Sequence, residues 1–306
     1  MADSTLDAVT GAFSFTGRAI AARLLAEGRE VVTLVRRDAP NPFGDRIRVA
    51  PFALDDPDAL ATALAGVDTL YNTYWIRFER GALTFDGAVA GTHRLIEAAR
   101  RAGVRRLVHI SVVNASETAP TPYFRAKARL EGHVRESGLS HAIVRPTLTY
   151  GPGDILVNNL CWTLRRFPIF GVPGDGQYRL QPVHVDDVAA IAVEAGGQTA
   201  DLTTDAAGPD TLVFDDFVRL LASAVGSRAR LVHLPAELAL GASRMLGLMV
   251  RDVLLTRGEV TELMTSLLVS RQPPAGTISF RAWVKDEGHS LGRSYHSELA
   301  RHYRNT

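Results

Sequence analysis

At 306 residues the chain holds about two average domains, or one large α/β domain with insertions, and can bury a sizeable core. Its 46% hydrophobic and 22% charged residues exclude a mainly disordered chain and a collagen-like repeat, and a net charge of +1 provides no broad basic field for nucleic acid. The one cysteine, Cys161, forms no internal bridge and no structural zinc cluster, which fits a reducing compartment; no metal site is expected.

The leading segment MADSTLDAVTGAF lacks a basic region followed by an apolar stretch, so no secretory signal and a cytoplasmic location are expected. From residue 7 to about 150, short β-branched runs alternate with helical segments, the pattern of a parallel sheet built from βαβ units. The expected strands are DAVTG, EVVTLV, RIRVAP, DTLYNT, RLVHIS and HAIVRP. Helices are expected over residues 16–28, 57–65, 82–102 and 121–137, closed by Gly28, Gly66, Gly103 and Gly138 as C-caps. Beyond Pro146, NNLCWTLRRF reads as a helix between two glycine-rich turns, VHVDDVAAIAVEA as another helix, and ADLTTDA as a strand returning to the main sheet. After residue 211 come a helix (FDDFVRLLASAVG), a short strand (ARLVHLP) and further helices. The apolar segment LALGASRMLGLMVRDVLL is interrupted by Arg244, Arg251 and Asp252, so a buried or interfacial helix is expected there and no membrane span. These elements divide into a larger domain of residues 1–151 and 183–210, and a smaller lobe of residues 152–182 and 211–306.

The first strand runs into Gly11-Ala12-Phe13-Ser14-Phe15-Thr16-Gly17 and a helix follows at once. Glycines there permit a tight turn, and the helix N-terminus offers free N–H groups to a pyrophosphate. Ser14 stands where the middle glycine of such turns falls and adds a hydroxyl able to donate to phosphate. After the second strand come Arg36 and Arg37, with Asp38 beside them. Two guanidinium groups match a 2′-phosphate, which favours NADP over NAD as cofactor. The segment Tyr123-Phe124-Arg125-Ala126-Lys127 sets a phenol and an ammonium four residues apart, on one helix face. With only Lys127 and Lys285 among 34 basic residues, a lysine in that position carries information. A phenol beside a lysine ionises more easily and can serve as an acid-base catalyst.

In this order, TGAFSFTG, LVRR, YFRAK, RPTLTYGPGD and VHVDDVA resemble the short-chain dehydrogenase/reductase superfamily over residues 7–205. The resemblance is nearest to its extended and atypical branches, including NmrA-like proteins and relatives of a respiratory complex I accessory subunit. It implies a Rossmann-type doubly wound parallel sheet with a smaller C-terminal substrate lobe. It implies Tyr123 as acid-base catalyst, Lys127 on the nicotinamide ribose, and a hydroxyl near the end of the fifth strand. The cofactor-binding set implied is Gly11, Phe13, Ser14, Phe15, Gly17, Arg36, Arg37, Leu54, Asn72, Thr73, Lys127, Pro146 and Thr147, with Leu54 and the backbone replacing an aspartate on adenine because residue 53 is Ala53. The third catalytic member departs from the family. Val113 occupies its position, leaving Ser111, Ser116 or a nearby asparagine to substitute, with Ser111 the first choice.

Tyr74 and Trp75, after the fourth strand, read either as an apolar wall for substrate or as core; Asn158 and Trp162 are further candidates for substrate contact, and His184 is expected to be structural. The expected activity is NADP-preferring reduction or oxidation of a partly apolar carbonyl or alcohol. An epimerase or dehydratase ranks lower because SVVNAS lacks an acidic pair. The rival class is a cofactor-binding sensor or assembly subunit without turnover, which Val113 and Ser14 favour. A homodimer is compatible with the sequence.

Overall fold

The computed structural model describes residues 5–36 and 40–303. Short β-branched segments separated by capped amphipathic helices fold in the order β1 (Leu6–Thr10), α1 (Phe15–Ala26), β2 (Glu30–Val35), β3 (Ile47–Pro51), α2 (Pro57–Ala63), β4 (Thr69–Asn72), α3 (Phe85–Arg101), β5 (Arg106–Ile110), α4 (Pro122–Glu136) and β6 (Ser140–Pro146). Gly28, Gly66, Gly103 and Gly138 all take φ between +73° and +77°, the left-handed conformation that ends a helix and favours glycine. The chain leaves this unit through β7 (Leu148–Tyr150), α5 (Leu156–Arg166), β8 (Ile169–Pro173), β9 (Arg179–Leu180) and β10 (Pro182–His184). It returns with α6 (Val185–Gly197) and β11 (Leu202–Ala206), then leaves again through β12 (Leu212–Val213), α7 (Phe214–Ala224), β13 (Arg230–Leu234), α8 (Ala236–Val250), α9 (Arg257–Met264), α10 (Phe280–Glu287) and α11 (Glu298–His302).

Two units result, residues 1–146 with 185–206 and residues 147–184 with 207–306. In the first, seven parallel strands run β11-β6-β5-β4-β1-β2-β3 across the sheet. Helices α1 and α6 pack together, while α3 packs against both α2 and α4. Strand order reverses between β1 and β4, and the crevice beyond the carboxyl ends of strands at such a point is where doubly wound sheets bind ligands. The returning piece is tied down by a buried guanidinium: Arg106 donates to the carbonyls of Ala195 and Ala200 and to Ser140 Oγ. In the second unit, α5, α7 and α10 enclose a core of Tyr150, Phe217, Phe280 and their neighbours. One expected helix starts two residues later than the sequence suggests, because Val183 and His184 join a parallel ladder with Thr149 and Tyr150. That pairing is non-local and leaves no mark on helical periodicity.

Candidate active site

After Thr10 the chain turns through Gly11 at φ +68°. Gly11 N donates to the Leu34 carbonyl at 3.2 Å, and Ser14 N donates to the Gly11 carbonyl at 2.8 Å. Thr33 braces the turn from β2: its hydroxyl accepts from Ala12 N and donates to the Val9 carbonyl, both at 3.0 Å. A methyl group on Gly17 would run into the Gly11 carbonyl oxygen, so α1 meets the turn at glycine distance. The Ser14 hydroxyl donates back to the Gly11 carbonyl at 2.6 Å and does not cap the helix. This corrects the expectation of a proton directed at phosphate, since that proton is spent within the turn. The first-turn amides of α1 have no side-chain cap, and Phe13 and Phe15 beside them are half-buried.

The segment leaving β4 sends each successive side chain to a different task. Tyr71 is core, and its phenol fills space that a side chain at Gly196 of α6 would need. Asn72, fully buried, bridges strands: its Oδ1 accepts from Thr10 Oγ1 at 3.2 Å and from Tyr74 N at 3.1 Å, and its Nδ2 lies 3.1 Å from His109 Nδ1. With the amide oxygen so committed, Nδ2 donates to His109 Nδ1, and the histidine proton resides on Nε2, which is buried without a partner among the described residues. Thr73 stitches β4 to β1, its hydroxyl donating to the Thr10 carbonyl at 2.5 Å.

Tyr74 and Trp75, which the sequence leaves open as substrate wall or as core, both border the cluster of Ile76, Phe85 and Leu130 and differ in their further contacts. Tyr74 meets Phe52 edge-on at 5.1 Å and lies against Leu54 near Gly91. Burial raises its phenol pKa, partly offset by the charge of Arg36 and a hydrogen bond from it. Tyr74 therefore links the arginine expected to meet a 2′-phosphate to the apolar cluster beside Tyr123. Arg36 itself is exposed, and Arg37 lies outside the described residues. Trp75 stacks on Phe85 at 5.8 Å, meets Tyr123 edge-on at 5.8 Å, and places its ring 4.4 Å from Lys127 Nζ.

Pro122 and the extended Thr121 start α4, which then carries Tyr123, Lys127 and Glu131 along one face. Lys127 is 3% exposed, and its ammonium donates to the carbonyl of Ile110, the last residue of β5, at 3.0 Å. Burial pulls this amine down to about 7, against a weaker upward pull from Glu131. His109 is likewise held well below the ordinary histidine range, by burial first and by Lys127 second. Ser111 does not stand as a third catalytic hydroxyl: its Oγ donates to Glu131 Oε1 at 2.6 Å. That carboxylate also takes both arms of Arg145, at 2.8 and 2.5 Å, and Arg135 at 2.9 Å. Although burial pushes Glu131 up, the bonds from Arg145 and Ser111 outweigh it and hold the carboxyl below its usual value. Val113 is fully buried, and Ser116 Oγ pairs with Thr118 Oγ1 at 2.9 Å. Sequence reasoning missed Thr121, two residues before Tyr123. Its buried hydroxyl has no partner among the described residues.

Pro146 ends β6 and its carbonyl accepts from Val113 N at 3.0 Å, whereas buried Thr147 belongs to the second unit. Asn158 and Trp162 are also corrected. The Asn158 amide donates to the Ser294 carbonyl and accepts from Gly292 N, and Trp162 is buried against Tyr295 beneath Arg166. Both brace the second unit internally. Burial pushes the Cys161 thiol up to about 12, which leaves it inert.

The glycine turn at the strand-order reversal, the uncapped start of α1 and a buried lysine of α4 bonded to the end of β5 define a Rossmann-type dinucleotide-binding protein. The residues fit the cofactor, since a Cβ at Gly17 would run into the Gly11 carbonyl and the first-turn amides of α1 have no side-chain cap. The NAD(P)H-binding family model matches residues 11–157. A ceramide reductase from Caulobacter vibrioides is 31% identical over 243 residues, covering 74% of this chain and 73% of that protein. The chain belongs to the short-chain dehydrogenase/reductase superfamily, in its extended NAD(P)-binding branch. Subunit 9 of the NADH dehydrogenase [ubiquinone] 1 alpha subcomplex from Arabidopsis thaliana, a mitochondrial protein, is 26% identical over 285 residues, 86% of this chain and 70% of that one. Among solved structures, a triphenylmethane reductase from Citrobacter sp. shares the fold with a TM-score of 0.72 at 16% identity, covering 94% of this chain and all of that one.

Proposed function

We propose that the protein is an NADP-preferring reductase or dehydrogenase for a carbonyl or alcohol with an apolar body. The observation that carries this reading is the shared α4 face, on which half-exposed Tyr123 precedes a buried Lys127 whose amine sits near neutrality. The cofactor, when bound, supplies or accepts the hydride. Tyr123 gives its phenolic proton to the carbonyl oxygen in reduction and takes it back in oxidation. Lys127 lowers the cost of the phenolate and holds the nicotinamide ribose. Trp75, Phe85 and Ile76 make the surroundings of Tyr123 apolar, and the name of the ceramide reductase relative agrees with such a substrate.

The second reading, a cofactor-binding sensor or assembly subunit, is favoured by Ser111, whose hydroxyl is committed to Glu131 while Val113 fills the family's hydroxyl position. The discriminating experiment oxidises NADPH with a panel of aldehydes, ketones and quinones and repeats it with Tyr123→Phe. The enzyme reading expects turnover that this variant loses while NADPH binding is retained. No turnover with any substrate, or a variant as fast as its parent, refutes the catalytic assignment.

A further inference from the structure

Helix α8 has apolar side chains on two faces. Ala239, Leu240 and Gly247 are buried, and the helix packs on β8 and β13. Its far end is clamped: a methyl on Gly247 would meet the Asp252 carbonyl oxygen at 2.6 Å, and the Asp252 carboxylate accepts from Glu298 N, Leu299 N and Tyr295 Oη at 2.7 to 3.0 Å. The helix is thus fixed in place with its second apolar face outward. Leu238, Met245, Leu248 and Met249 are 60, 74, 81 and 68% exposed. At 3.6 residues per turn these four lie within an arc of about 100°. Half of the exposed large hydrophobic residues described in the protein fall on this one helix, which is clustering and not ordinary scatter.

The unpaired charge at the rim of the stripe is of one sign. Arg244, one turn before Leu248, and Arg251, at the helix end, are exposed and form no ion pair among the described residues. The acidic neighbours are already used, Glu237 in a two-pronged pair with Arg257 and Asp252 in the clamp. A two-fold contact between copies would bring stripe to stripe and Arg244 towards its own counterpart, which disfavours a second copy as the occupant. No helix among the described residues is long and apolar enough to cross a membrane. A short fixed helix with an apolar face outward and unpaired arginines on its flank suits the boundary between acyl chains and anionic headgroups.

We propose that α8 seats the second unit on an anionic bilayer surface, with Leu238, Met245, Leu248 and Met249 in the acyl boundary and Arg244 and Arg251 on headgroup phosphates. This proposal is independent of the catalytic reading. The test sediments the full-length protein with vesicles of phosphatidylcholine alone or of phosphatidylcholine and phosphatidylglycerol at three to one, at about 0.1 M and 0.5 M salt. The expected result is binding to the anionic vesicles, weakened by salt, and little binding to phosphatidylcholine alone. The combined variant Met245→Ser/Leu248→Ser/Met249→Ser, checked for native circular dichroism, loses at least about tenfold in partitioning. Arg244→Gln/Arg251→Asn loses the salt-sensitive share; asparagine is chosen because Arg251 has φ +54°. Failure to bind the anionic vesicles, or undiminished binding by the triple variant, overturns the proposal. So does a dimer, seen by light scattering, that the triple variant makes monomeric.

Discussion

Replacing Lys127 by methionine tests whether the buried amine carries the charge balance assigned to it. The ordinary lysine value of 10.5 falls to about 7 in the folded protein. At about 1.4 kcal/mol per unit, keeping the ammonium buried costs about 5 kcal/mol wherever both states are protonated. The sign follows from proton counting. Below pH 7 folded and unfolded chains both hold the proton and the full cost applies. Between pH 7 and 10.5 the unfolded chain holds more protons, so stability rises with pH by up to about 1.4 kcal/mol per unit. Methionine removes the cost together with the hydrogen bond to the Ile110 carbonyl, a loss of about 1 kcal/mol. Lys127→Met is therefore expected to be more stable than the parent by about 3 to 4 kcal/mol at pH 6. That advantage shrinks by about 2 to 3 kcal/mol by pH 9. Urea unfolding of both proteins at each pH, without cofactor, measures the difference directly. A stability gap independent of pH refutes the reasoning, because it means Lys127 titrates alike in both states.

Gly17→Ala drives a methyl into the Gly11 carbonyl oxygen; it is expected to cost about 2 to 4 kcal/mol in thermal or urea unfolding and to abolish NADPH binding, and a neutral substitution contradicts the turn geometry. Arg36→Ala is expected to weaken NADPH by about 1 to 3 kcal/mol while leaving NADH nearly unchanged in calorimetry, whereas equal losses mean the guanidinium does not read a 2′-phosphate. Trp75→Ala exposes Lys127 to water, so it is expected to shift substrate preference and flatten the parent's rise in stability above pH 7; an unchanged slope means the indole does not shield the amine.

The fold was legible because its signals are local. A glycine closing a helix, Pro122 opening one and β-branched runs of four to seven residues each declare themselves within a few positions. Tyr123 and Lys127 were legible for the same reason, since a four-residue spacing on a helix is a shared face. What sequence could not supply were partners brought in by the sheet. Ser111 is decided by Glu131 and Arg145, which arrive from the next helix and the next strand. Asn72 is decided by Thr10 and His109 on the flanking strands. Two adjacent aromatic residues after β4 share one apolar cluster yet meet different cations, Tyr74 the Arg36 guanidinium and Trp75 the Lys127 ammonium. Similarity of residue type gave no hint of that difference.

These partners also explain why the α4 face contains a third charged residue. Tyr123, Lys127 and Glu131 are spaced by four, so they form one stripe that runs from a half-exposed phenol to a carboxylate that is 1% exposed. A lone amine in that apolar site would lose its proton at still lower pH, and the Glu131 carboxylate opposes this. Were Glu131 uncompensated, its own burial would cost heavily; Arg145, Arg135 and Ser111 keep it ionised without placing another cation on the Lys127 side chain. Trp75 acts at the other end of the same stripe, excluding water from the amine while contributing attraction through its ring face. The position that the family fills with a catalytic hydroxyl is apolar here, and Ser111 serves the carboxylate instead. On the catalytic reading proposed above, Tyr123 and Lys127 carry the proton chemistry, and Glu131 and Trp75 set the field in which that pair works.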